Sequence, residues 1–128
     1  MPQAPEHVEQ VLFFQRVSLD WRTKDLLITA VPNGGLRNPI VAKKLKAEGV
    51  QKGVPDILCF AHGKGSQGQP CHGLAIEMKA PNKRKPSAIS PEQRAWLAGL
   101  IEEGWAAYVC YSAEEAWEVL ANYRGFRA

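Results

Sequence analysis

The run "GVPDILCFAHGKGSQGQPCHGLAIEMKAP", residues 53–81, constrains the fold more than any other part of the chain. "PDILCFA" and "HGLAIEMKA" are short and apolar, and they read as strands. The glycine-rich polar "HGKGSQGQP" between them reads as a loose hairpin connection. Its glycines do not lie between a strand and a helix, which argues against a phosphate-cradling P-loop. If the two strands pair as a hairpin, the start of the first meets the end of the second. Asp56 then comes near Glu77 and Lys79.

The flanking sequence alternates helix and strand patterns. Pro5 suits the first turn of a helix, with Glu6 and Glu9 in its acidic start and Val8, Val11, Leu12, Phe14 and Val17 as its apolar positions up to about Ser18. "LLITAVP" (26 to 32) is a strand closed by Pro32 and followed by the turn Asn33-Gly34-Gly35. Asn38 and Pro39 form an N-cap and first-turn pair for "IVAKKLKAEG", with Gly49 just past its end. Ser90-Pro91-Glu92-Gln93 is a capping box opening a helix that carries Trp96, Leu97, Leu100 and Ile101 and ends at Gly104. "WAAYVCY" (105 to 111) is a strand, and Ser112 with Glu115 is a second capping box starting a helix to about Tyr123. The order αβαββαβα, without repeat or long linker, predicts one α/β domain over residues 1–128.

Apolar runs such as Val11 to Phe14 are far too short to cross a bilayer, and the first ten residues lack the features of a signal peptide. A cytoplasmic location is the expectation. The three cysteines, Cys59, Cys71 and Cys110, have no paired spacing and read as free thiols in a reducing compartment. Net charge is only +3, but residues 37–85 hold ten Lys or Arg against three acids. A basic middle that also contains the acids of the hairpin points to a polyanionic partner, nucleic acid being the commonest.

Side chains alternate along a strand, so Leu74, Ile76 and Met78 share the core face while Ala75, Glu77 and Lys79 share the other. Pro55 fixes a rigid strand entrance for Asp56. Two carboxylates brought together repel unless a cation lies between them, and hard oxygen donors suit Mg²⁺ or Mn²⁺. A lysine beside such an ion can stabilise charge on phosphoryl oxygens or orient a water. The chemistry this set predicts is metal-assisted phosphodiester hydrolysis. An exposed Glu-x-Lys pair on a strand is otherwise a common, weakly stabilising feature. The upstream "GVPD" and the basic surround favour the functional reading.

Pro55-Asp56 on one strand and Glu77-x-Lys79 on the next resemble the PD-(D/E)XK nuclease superfamily. More narrowly, "VPNGGLR" (31 to 37), "LKAEGVQKGVPDI" (45 to 57), "LAIEMKA" (74 to 80) and "SPEQRAWL" (90 to 97) resemble the VRR-NUC family, the virus-type replication-repair nuclease domain. The resemblance implies a restriction-endonuclease-like fold, a mixed central sheet flanked by helices. It implies Asp56, Glu77 and the Met78 carbonyl as ligands of Mg²⁺ or Mn²⁺, with Lys79 as the catalytic lysine. Gln93 matches the family's glutamine after the lysine strand, although it is equally the third member of its capping box. The family's first-helix glutamate falls on Glu6 or Glu9, which the sequence does not separate. Stand-alone members are similar to Holliday-junction resolvases, which implies a homodimer acting on branched DNA in replication, repair or recombination. Arg37, Lys43, Lys44, Lys46, Lys83, Arg84 and Lys85 are the expected phosphate contacts, by residue type.

Two rival readings follow from the same residues. Cys59, His62, Cys71 and His72 could form a zinc module, but the adjacent Cys71 and His72 would both have to turn inward. A flap or less selective nuclease of the same fold, or a non-catalytic nucleic-acid-binding domain, is the other. Intact Asp56, Glu77 and Lys79 argue against the non-catalytic form.

Overall fold

The computed structural model describes residues 5–32 and 38–128. Arg37 and the Asn33-Gly34-Gly35 turn lie outside the described residues. The helices are α1 (Pro5–Leu19), α2 (Pro39–Ala47), α3 (Pro91–Glu102) and α4 (Ala113–Arg124). The strands are β1 (Ile28–Ala30), β2 (Ile57–Cys59), β3 (Gly63–Lys64), β4 (Pro70–Cys71), β5 (Leu74–Met78) and β6 (Ala106–Cys110). The expected alternation therefore holds, with one addition. The glycine-rich connection folds into its own small antiparallel pair, β3 with β4, between the two halves of the hairpin.

The main sheet has the order β1-β2-β5-β6, antiparallel except for β5 with β6, so it is mixed. α3 makes the crossover that parallel pairing of β5 and β6 requires. β2 pairs with β5 in the register Ile57 to Ile76, and one step outward places Asp56 opposite Glu77.

β5 is central, and every residue of it is buried. Its even-numbered side chains Leu74, Ile76 and Met78 enter the main core with Phe13 and Val17 of α1 and Trp117 and Leu120 of α4. Each such large apolar side chain contributes about 1.5–3 kcal/mol by leaving water. The odd-numbered side chains face the layer containing α3, as the contact between Glu77 and Gln93 establishes.

The apolar face of α1 differs from the expected one. Phe13 and Val17 are buried, whereas Val8, Val11 and Leu12 are exposed. The helix is apolar on two sides; Phe13 and Val17, at i and i+4, are buried in the core, and Phe14 packs against it.

Helix ends were written locally and form accordingly. Asn38 accepts from the Ile40 N–H at 2.7 Å, and Ser90 with Gln93 forms the complete reciprocal box. At α4 the second box is only half made. Ser112 accepts from the Glu115 N–H, but the Glu115 carboxylate pairs with Arg84 instead of returning to the cap backbone.

Candidate active site

Three chain segments end at one edge of the sheet: the entrance to β2, the exit of β5 and the exit of β6. Open α/β sheets commonly bind ligands at such strand ends. Asp56 stands at the entrance and its Oδ2 accepts from the Met78 N–H at 2.7 Å. The Lys79 N–H donates to the Cys110 carbonyl at 2.9 Å, which carries the parallel ladder one residue further and fixes the lysine backbone.

Glu77 is 2% exposed, and its Oε1 has no hydrogen-bond partner. Its other oxygen accepts from the Gln93 amide nitrogen at 3.3 Å. Burial, first, and the adjoining Asp56 carboxyl, second, push its pKa up to about 9, with Lys79 pulling the other way. Ala75 and Glu77 share one face of β5, as alternation along the strand requires. α3 covers that side of a central strand, so the acid is held in a protein interior where an unbalanced charge is costly.

Gln93 ties the cluster together. Its amide oxygen accepts both the Ser90 N–H at 2.9 Å and the Lys79 ammonium at 3.0 Å. The same oxygen therefore serves the cap and the lysine at once. A carbonyl oxygen has two lone pairs, one for each donor, and the amide nitrogen still reaches Glu77. The α3 cap thus orients Lys79 and Glu77 together.

Gly53 completes the frame and was not singled out from sequence. A Cβ there would lie 2.5 Å from the Glu92 carbonyl carbon and 2.7 Å from the Gln93 nitrogen, and its φ is +86°. Only glycine lets the "GVPD" backbone lie against the first turn of α3. The signal was the glycine itself, two residues before Pro55.

The remaining expected residues are more dispersed. Glu9 is half-buried and accepts from the Ala113 N–H at 2.8 Å, capping the first turn of α4. Glu6 is exposed in the first turn of α1. Lys43, Lys44, Lys46, Lys83 and Lys85 are exposed. Arg84 stacks over the Tyr111 ring at 4.4 Å while pairing with Glu115.

Among the described residues, no three His, Cys, Asp or Glu side chains converge as a metal cage. For zinc this removes the Cys59, His62, Cys71, His72 set. The cysteines are buried free thiols, and burial raises the pKa of Cys59 and pushes that of Cys110 up to about 12. For Mg²⁺ the requirement is different, since one or two carboxylates suffice when water and phosphate complete the shell. Asp56, half-buried at the strand entrance, and Glu77, whose buried Oε1 has no hydrogen-bond partner, fit such an ion.

A family model for the VRR-NUC domain matches residues 6–114. A solved VRR-NUC domain protein superposes with a TM-score of 0.73 at 23% identity, covering 96% of this chain and 90% of that one. At that identity the likeness speaks for the fold. No curated protein matches the chain.

Proposed function

Since the chain belongs to the VRR-NUC domain family, a nuclease-type domain, we propose that it is a divalent-metal-dependent DNA endonuclease that hydrolyses phosphodiester bonds in branched DNA as a homodimer. The observation that carries this reading is the buried Glu77, with one oxygen unpartnered, set against Asp56 and joined to Lys79 through a single glutamine. Asp56, Glu77 and the Met78 carbonyl would hold Mg²⁺ or Mn²⁺. The chemistry such an ion supplies is Lewis-acid polarisation of the phosphate and activation of water. Lys79, kept in place by Gln93, stabilises charge on the phosphoryl oxygens. Glu9 is the better first-helix acid than Glu6, because its carboxylate already lies at the first turn of α4, which follows the β6 exit.

Phosphate contacts come from Lys43, Lys44, Lys46, Lys83, Arg84 and Lys85, and from Arg37 by residue type. A unit with one site cuts two strands most simply as a two-fold pair. The uncharged exposed positions Val8, Val11 and Leu12 on α1 suit a contact between copies.

The test is a cleavage panel of four-way junction, 5′ flap, 3′ flap and plain duplex with Mg²⁺ or Mn²⁺, with mass in solution measured alongside. Junction cleavage by a dimer, abolished in Glu77→Gln and in Lys79→Ala, is the expected result. Cleavage that survives those substitutions would overturn the assignment, and flap cutting by a monomer would replace the junction reading.

A further inference from the structure

We infer that the N-terminal turn of α2 is a contact surface for DNA whose base stack is open, with Ile40 touching an exposed base face and Lys43 and Lys44 on the flanking phosphates. The inference rests on the nuclease reading and names the feature of the substrate that this protein recognises.

Ile40 is 78% exposed and Val41 47% exposed, and α2 buries none of its side chains. An isoleucine so exposed contributes nothing to the core. It is nevertheless held firmly. Asn38 caps the Ile40 N–H at 2.7 Å and Pro39 sets the first helical turn. Helical spacing places Lys43 and Lys44 at i+3 and i+4 from Ile40, on its own face. Their stems leave the isoleucine uncovered. α2 carries three lysines and no acid between Pro39 and Ala47.

An apolar residue framed by cations needs a partner with a negative frame and an apolar centre. Intact duplex presents sugar and phosphate outward. An apolar side chain that wedges against a base face must offset the cost of unstacking that step, and the cost is least where stacking is already interrupted, at branch points, flaps and nicks. A second copy of this chain is a poorer occupant. A two-fold contact through this face would set Lys43 and Lys44 against their own equivalents.

The position in the fold agrees. The Val31 N–H donates to the Asp56 carbonyl at 2.7 Å, so the excursion bearing α2 leaves the sheet at Val31 and re-enters it at its neighbour Asp56.

The experiment measures binding of the full chain, in a Lys79→Ala background with Mg²⁺, to a four-way junction and to duplex of equal length. 2-Aminopurine at the branch nucleotides reports unstacking. Ile40→Ser combined with Val41→Ser should lower the junction-to-duplex affinity ratio roughly tenfold and reduce the fluorescence rise. Lys43→Ala with Lys44→Ala should weaken both DNAs in proportion. Both substituted apolar residues are exposed, and circular dichroism checks that the fold is kept. A ratio and a fluorescence signal unmoved by the serine pair overturn this inference alone. A change of mass in sedimentation with the ratio unmoved assigns the face to contact between copies. Absence of any DNA binding by the Lys79→Ala background overturns both this inference and the reading beneath it.

Discussion

Glu77 shows how burial on two sides changes what a residue does. In the folded protein its carboxyl stays protonated up to about pH 9, against an ordinary value of 4.5 for an unfolded chain. Between those values the folded state holds a proton that the unfolded state has released, so stability falls as pH rises through the window. Glu77→Gln keeps the shape and has nothing to ionise. In chelator its thermal midpoint should exceed that of the parent, with little difference near the lower bound and the largest near the upper. Calorimetry across the window checks this, and a glutamine variant less stable than the parent at the alkaline end would contradict the electrostatics. The pairing of Asp56 with Glu77 was legible in the sequence, because "PD" and "EMK" bracket a hairpin and register follows. The burial was not, because alternation in "LAIEMKA" cannot say that α3 covers the polar face.

Among elements, the seating of α3 decides whether Gln93 meets Lys79 and Glu77. Gly53 controls that seating through a backbone contact that no side chain leaves room for. Gly53→Ala should destabilise the fold by about 1–3 kcal/mol through strain at a positive φ and displacement of the helix. Gly49→Ala is the comparison, since its φ is +100° yet its added Cβ would meet nothing within 4 Å. Urea unfolding should show the larger loss at Gly53, and cleavage of the still-folded protein should fall only there. Equal effects at both glycines would reduce Gly53 to backbone strain alone. Caps were the most legible feature at this scale, because Asn38-Pro39 and Ser90-Pro91-Glu92-Gln93 act within four residues of themselves. The box at Ser112 was half wrong for the opposite reason. Its Glu115 is claimed by Arg84, which lies thirty-one residues away in sequence, and Glu9, one hundred and four residues before Ala113, accepts from the Ala113 N–H at the α4 N-terminus.

Across the whole molecule, the sheet gathers the acids at one edge while the cations lie on α2 and on the loop after β5. The sequence showed the charge excess of the middle segment but not which charges are already paired. Lys43, Lys44 and Lys46 are exposed on a helix without acids, whereas Arg84 is neutralised by Glu115 and stacked on Tyr111. Each lysine that neutralises a phosphate releases counterions, so each Lys→Ala change should reduce the slope of log affinity against log salt by about 0.9. Arg84→Ala should reduce it less, because engaging DNA with Arg84 requires giving up Glu115. Glu115→Gln frees the guanidinium without removing the ring beneath it. It should strengthen DNA binding and steepen the slope by up to about 0.9. Titrations at several salt concentrations in the Lys79→Ala background measure this directly. An unchanged slope in Glu115→Gln would mean that Arg84 faces α4 and never the phosphate backbone.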